Sequence, residues 1–291
     1  MHKSASRIIF EICNVIFMLF LVLCAILPFL NFLAVSLSSS SAVSLGLVRF
    51  WPVDFTLRSY EFVLKPELIR AFGVSVAKAA AGTPLNMILS ILIAYPLSKT
   101  KEEFPARSFY VWFFIVTMVF SGGLVPWYMI INNLGMIDTF WALIIPSAVP
   151  VFNVVILVNA FRGLPKSIEE AALIDGANHW QTLWSIFVPL SKPTLAALVL
   201  FCVVNHWNSW FEGMLLMNRP ENYPLQTYLQ TFVVGRNTGL MSNQDIRYVG
   251  IVSERTARAA QMFIATIPVL AIYPFLQKHF TTGIALGGVK E

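Results

Sequence analysis

Charge is scarce in this chain. Only 12% of its 291 residues are Asp, Glu, Lys or Arg, 20 basic against 15 acidic, where a soluble domain carries ~25%. So few charges cannot cover the surface of a water-soluble globule of this size, nor build a nucleic-acid-binding face. With 57% hydrophobic residues and a mean hydropathy of +0.71, a disordered chain is excluded as well. Cysteine is also rare. Cys13, Cys24 and Cys202 all lie in apolar stretches, where thiols behave as small hydrophobes, so neither a disulfide nor a metal site is expected. The four histidines show no ligand spacing, and no HExxH pair exists. The phosphate-cradling Gly-x4-Gly-Lys-Ser/Thr loop is missing, so the chain cannot bind ATP by that route, and no cofactor is expected. The apolar runs hold no Asp or Glu at their centres, and no internal repeat is visible. These absences argue against an intramembrane enzyme and against an ion-coupled secondary transporter.

What the chain has instead is long charge-free runs. Six of them, 12–48, 79–98, 108–137, 139–161, 193–211 and 259–277, reach the ~18 residues of a membrane-span candidate. The expected fold is all-α, a polytopic membrane protein with helices at about 12–36, 72–97, 108–130, 140–161, 193–217 and 259–280. The net charge of +5 reads as Lys and Arg anchoring helix ends at lipid headgroups. The N-terminal apolar run is too long for a signal peptide of ~7–15 apolar residues, so an uncleaved first helix is expected. With the N-terminus inside, the basic residues divide evenly between the two sides, Lys78 falling on the outer one, and leave the orientation open. Trp127 and Trp141 flank a short loop on the outer side. Pro84, Pro268, Pro274 and Gly122-Gly123 suggest kinks, which suit a moving helix and irregular packing equally.

Two loops are long, an outer one at 218–258 and an inner one at 162–191. The inner loop carries Lys166-Ser167-Ile168-Glu169-Glu170-Ala171-Ala172-Leu173-Ile174-Asp175-Gly176. Ser167 with Glu170 forms a capping box that would start a helix at Ile168. Glu169 and Glu170 suit the positive end of its dipole, and Gly176 terminates it. The expectation is a two-turn helix outside the membrane with Ala171 and Ala172 exposed. Such a helix suits docking into a partner's groove, and an ordinary interfacial helix would look the same.

The pattern Glu170-Ala171-Ala172, three residues, Gly176, nine residues, Ile186, one residue, Val188-Pro189 resembles the EAA signature of ABC importer permeases, with Val188 in place of the usual Leu. The segments Leu164-Pro165-Lys166-Ser167 and Pro189-Leu190-Ser191-Lys192-Pro193 around it are similar to those of the carbohydrate-uptake permeases. So are Ala94-Tyr95-Pro96-Leu97-Ser98-Lys99, Ser121-Gly122-Gly123-Leu124-Val125-Pro126, Trp207-Asn208-Ser209-Trp210 and the tail from Tyr273 to Lys290, the closest likeness being to the complex-oligosaccharide subgroup. The resemblance spans roughly residues 60 to 291.

It implies a six-helix ABC importer permease bundle over 1–291 with cytoplasmic termini, in a bacterial cytoplasmic membrane. It further implies an ATPase-coupling loop built on Glu169, Glu170, Ala171, Ala172, Asp175 and Gly176. The implied partners are a second homologous permease, two copies of a cytoplasmic ATPase, an extracytoplasmic solute-binding protein touching the 218–258 loop, and an oligosaccharide. ATP hydrolysis would belong to the partner, not to this chain. Five arginines in the outer loop would suit an acidic oligosaccharide. A permease for a non-sugar solute sharing the EAA loop is the alternative within the class.

A sugar's hydroxyls need polar partners inside the bundle. Asn153, Asn205 and Asn208, with Trp207 and Trp210 as stacking faces, are the candidate substrate path, though interhelical hydrogen bonding explains buried Asn as well. Asn86 and Asn159 read as packing residues. His206 and Glu212 are expected to face water or the outer loop.

Overall fold

The computed structural model describes residues 5–235 and 252–287, and among these there are helices and no strands. In chain order the helices are α1 (Ala5–Ser36), α2 (Ser40–Ser44), α3 (Arg58–Val63), α4 (Pro66–Ser98), α5 (Arg107–Val119), α6 (Leu124–Asn133), α7 (Val151–Arg162), α8 (Lys166–Ile174), α9 (His179–Thr182), α10 (Val188–Leu190), α11 (Lys192–Asn208), α12 (Phe211–Leu216), α13 (Leu225–Gly235) and α14 (Glu254–Gly287). Two short 3-10 turns, Phe140–Leu143 and Ile145–Ser147, precede α7. A π-helical turn, Leu183–Phe187, joins α9 to α10.

Two helical stretches, Arg7–Ser36 and Pro66–Ser98, are each long and apolar enough to cross a bilayer. Three bent pairs pass the same test together: α5 with α6 at 112°, Phe140–Ser147 with α7 at 47°, and His179–Leu190 with α11 at 82°. Thus the stretch 108–130 lies on two helices, 140–161 begins as 3-10 turns, and 193–217 is interrupted after Asn208. The stretch 259–280 falls within α14. Long apolar runs therefore appear as broken helices where Gly122-Gly123, Pro146, Pro150 and the Asn208-Ser209 step interrupt the ladder.

The chain divides into two compact units. The first draws on Met1–Ile69 and Thr231–Pro268. In it Val35, Val43 and Ala259 pack together with Val48, and the Ser253 amide donates to Ser40 Oγ at 2.7 Å. The apolar window of α1 has no buried residue, a face that belongs against lipid or another chain.

The second unit draws on Arg70–Gln230 and Val269–Glu291. Its larger core joins Met87, Ile91, Ala94 and Tyr95 of α4 to Val154, Leu157 and Phe161 of α7, Leu183 and Phe187 of the π turn, and Leu198 and Cys202 of α11. A second core gathers Ile131, Ala142, Leu143, Ile144, Leu216 and Met217. Beside it Asp138, at φ 59°, ties two loops together. Its carboxylate accepts from the amides of Asn218 and Arg219, from Arg219 Nε at 2.6 Å and from Asn222 Nδ2 at 3.1 Å. The Arg219 bond and then the Asn222 bond hold its pKa well below the usual 3.8, at about 2.

Candidate functional site

The 162–191 loop folds onto the C-terminal end of α4. Pro165 is extended at φ −60°, ψ 125°, as proline prefers, and its carbonyl accepts the Ile168 amide at 3.2 Å. The helix α8 therefore starts at Lys166, and no side chain caps it. This corrects the expected capping box: Ser167 sits inside the first turn, too far along to cap it. The reciprocal box stands one helix further on, where the Asn178 side chain accepts from the Gln181 amide and the Gln181 side chain from the Asn178 amide, both at 2.9 Å. The other end of α8 closes as Gly176 suggests. With Gly176 at φ +83°, its amide donates to the Leu173 carbonyl and the Ala177 amide to that of Ala172, the pair of bonds of a Schellman motif.

The two faces of α8 differ. Glu169 and Ala172, three residues apart, face the bundle. Ala172 is only 8% exposed, so the expectation that both alanines lie bare holds for Ala171 alone. Outward lie Glu170, Ala171 and Asp175, with Ile174 86% exposed. Leu173, Trp180 and Trp184 are exposed as well.

Inward, Glu169 forms an ion pair with Lys99, the two side chains being 18% and 9% exposed. The Lys99 ammonium lies over the rings of Tyr95 at 4.2 Å and Phe187 at 4.6 Å. The Tyr95 hydroxyl meets His179 Nδ1 at 3.2 Å, and Phe187 sits edge-on to Tyr95 and Phe161. Two guanidinium groups finish the end of α4. Arg107 Nε donates to the Leu97 carbonyl at 3.0 Å, and Arg162 donates to the carbonyls of Leu97 and Ser98 at 3.1 and 3.4 Å. They satisfy carbonyls that a helix terminus leaves unpaired and complement its negative end. Glu103, in the same corner, is held below its usual pKa chiefly by the Thr100 amide. The loop is thus pinned to the end of α4 at two points, α8 by the Lys99–Glu169 ion pair and α9 by the Tyr95–His179 hydrogen bond.

Within the spans the candidate path residues separate. Asn153 is buried and donates through Nδ2 to Cys202 Sγ at 3.1 Å. Trp207 is buried edge-on against Phe72, ring centroids 5.5 Å apart. Asn205, Asn208 and Trp210 are exposed. Asn86 is buried and donates to the Ser147 carbonyl at 3.3 Å, the packing role expected of it.

Two expectations are corrected. His206 is buried against Gly82, where a Cβ would overlap its imidazole ring, and so does not face water. Lys78 is 1% exposed within α4, bonded to Ser209 Oγ and subject to the charge of Glu212. It is therefore no surface charge. An ionisable group inside a span faces a bundle interior or a water-filled cavity. The sequence held a signal for this: Lys78, Gly82, Asn86 and Ser90 recur every four residues, one face of α4. Among the described residues, no three His, Cys, Asp or Glu side chains gather as a metal site.

The sequence matches the family model of the binding-protein-dependent transport system inner membrane component over residues 2–285. It is 36% identical to protein LplC of Bacillus subtilis (strain 168) over 291 residues, 100% of this chain and 98% of that one. It is likewise 36% identical to the polygalacturonan/rhamnogalacturonan transport system permease protein YtcP of the same organism, covering 94% of this chain and 96% of the relative. In structure it is similar to a chain of a bacterial ABC transporter involved in the import of the acidic polysaccharide alginate, with a TM-score of 0.84 and 32% identity over 96% of this chain and 99% of that one. A helical chain with broken spans and an outward-facing loop helix of this kind is a transport permease component, and it belongs to the family of binding-protein-dependent transport system inner membrane components.

Proposed function

We propose that the chain is a permease subunit of an ATP-driven importer that carries an oligosaccharide across a bacterial cytoplasmic membrane. It crosses six times as a single permease domain, with both termini cytosolic. It pairs with a second homologous permease, stands on two copies of a cytosolic ATPase and receives its cargo from an extracytoplasmic solute-binding protein. ATP is hydrolysed by the partner, and this chain contributes a mechanical contact.

The observation that carries the reading is α8. A short helix with a glycine-terminated end presents Glu170, Ala171, Ile174 and Asp175 outward while Glu169 and Ala172 hold it to the bundle. The exposed Ile174 beside the small Ala171, with Leu173, Trp180 and Trp184 also exposed nearby in sequence, suits insertion into a groove of a partner. On this reading the loop is cytosolic, which fixes the orientation that the basic residues leave open. Two of the proteins above, named for polygalacturonan/rhamnogalacturonan transport and for import of the acidic polysaccharide alginate, support an oligosaccharide as cargo, an acidic one included. In the outer loop Arg219 is engaged by Asp138, and residues 236–251 lie outside the described residues. Asn205, Asn208 and Trp210 at the end of α11 remain available to such a cargo, whereas Asn153 and Trp207 are engaged in packing.

Mild-detergent purification of the tagged chain from its native membrane, followed by mass spectrometry, tests the reading. A stoichiometric ATPase and a second permease should travel with it. A chain that purifies alone, where a control importer stays whole, contradicts it.

A further inference from the structure

We infer that the cavity where two broken spans meet is a carbohydrate-binding subsite on the transport path, an inference that rests on the importer reading above. The first break lies between α5, ending at Val119, and α6, starting at Leu124. Gly123 there takes φ +88°, which L side chains resist, and residues 120–123 are all exposed. Non-helical backbone at membrane depth is not tolerated against lipid; it must line water or be covered by protein. The second break lies between Asn208 and Phe211, and the first turn of α12 carries Glu212.

The first break and the first turn of α12, just past the second, line one cavity of about 730 Å³, among others through Phe120, Ser121, Trp127, Ser147, Phe211 and Glu212. That volume lies within the ~300–1,000 Å³ of small-molecule sites. Its chemistry is amphipathic. Trp127, Phe120 and Phe211 offer ring faces to the apolar side of a pyranose. Ser121 and Ser147 offer hydroxyls, and Glu212 a carboxylate. Oε2 of Glu212 is buried with no hydrogen-bond partner among the described residues, an acceptor whose hydrogen bonding the protein itself leaves unmet beside the cavity. The charge of Glu212 is set against that of Lys78 behind it, so the site attracts donors without calling for a second cation. A lipid chain would satisfy the rings and strand the carboxylate; a metal ion would find a single carboxylate. A sugar unit with several hydroxyls satisfies both.

The test places one thiol at a time, Ser121→Cys or Ser147→Cys, in a chain with Cys13, Cys24 and Cys202 replaced by Ala, within the assembled complex in membrane vesicles. Reaction with a membrane-impermeant sulfonated thiosulfonate is followed with ATP, the binding protein, and maltotriose, trigalacturonate or an alginate trisaccharide as probe. Both thiols should react, and the imported probe should slow them at least about tenfold. Trp127→Ala should raise the half-saturating probe concentration for uptake by about tenfold at unchanged complex yield. Thiols that react only with lipid-soluble N-ethylmaleimide, or that react at the same rate with and without a probe the wild-type complex imports, overturn the subsite alone. ATP-dependent import of none of the three overturns the importer reading, and the subsite with it.

Discussion

Replacing Glu169 by Gln removes the charge against which Lys99 is buried. The two side chains are 18% and 9% exposed, so water screens them little. Leaving one partner of such a pair uncompensated costs about 3–5 kcal/mol. The Tyr95 and Phe187 faces, 4.2 and 4.6 Å from the ammonium, shelter the stranded cation, ~1 kcal/mol apiece. The net weakening of α8 docking is therefore on the order of 2 kcal/mol, a ~30-fold shift in the docked–undocked equilibrium. Hydrogen exchange reads it directly. The amides of Gly176 and Ala177, which bond to Leu173 and Ala172, should exchange ~30 times faster in Glu169→Gln, with α11 amides unchanged as a control. Exchanging the pair for apolar residues, Lys99→Met with Glu169→Leu, should restore protection, because a buried ion pair is replaceable by packed hydrophobes. An acceleration below about threefold in the single variant, or a double variant worse than the single one, refutes the pin.

Gly176→Leu forces a side chain into φ +83°, at ~1–2 kcal/mol. It should reduce the ATPase recovered on purification, whereas Gly176→Asn, which tolerates that backbone, should retain it. Asp138 titrates at about 2 instead of 3.8, so the order it lends to the 217–222 loop is present above about pH 4 and lost as pH falls towards 2. Exchange protection of the Asn218 and Arg219 amides should be high at about pH 5 and low below about pH 2, and Asp138→Asn should remove the difference. Gly82→Ala drives a Cβ into the His206 ring and should lower the melting temperature of the purified protein, with His206→Ala restoring part of it.

Legibility in the sequence followed the range of the interactions. Apolar runs mark where helices run, since membrane burial depends on local composition, and Gly122-Gly123 marks one break. The interruption after Asn208 carries no such punctuation; there Lys78, 131 positions away in the chain, bonds Ser209 Oγ. The C-terminus of α8 was readable from Gly176, a local backbone requirement. Its N-terminus differs because Pro165 sets the first turn two residues earlier than the Ser167–Glu170 spacing implies. The Lys99–Glu169 pin joins residues 70 positions apart and leaves no local pattern. Lys78 looked like an outer-side charge because a positive-side tally counts a lysine without its depth, yet the four-residue recurrence along α4 was there to find.

The role proposed for α8 is that of the contact through which ATP hydrolysis in a partner subunit would reach this chain. Ala171→Cys, in a chain with Cys13, Cys24 and Cys202 replaced by Ala and loaded with a benzophenone maleimide, places a photoreactive group on the outward face of α8 in the assembled membrane complex. Illumination should yield one dominant adduct with the ATPase subunit, and a probe on the inward face, at Ala172→Cys, should yield little. An adduct formed with lipid or the binding protein in place of the ATPase, while the ATPase is present in the same membranes, would contradict it.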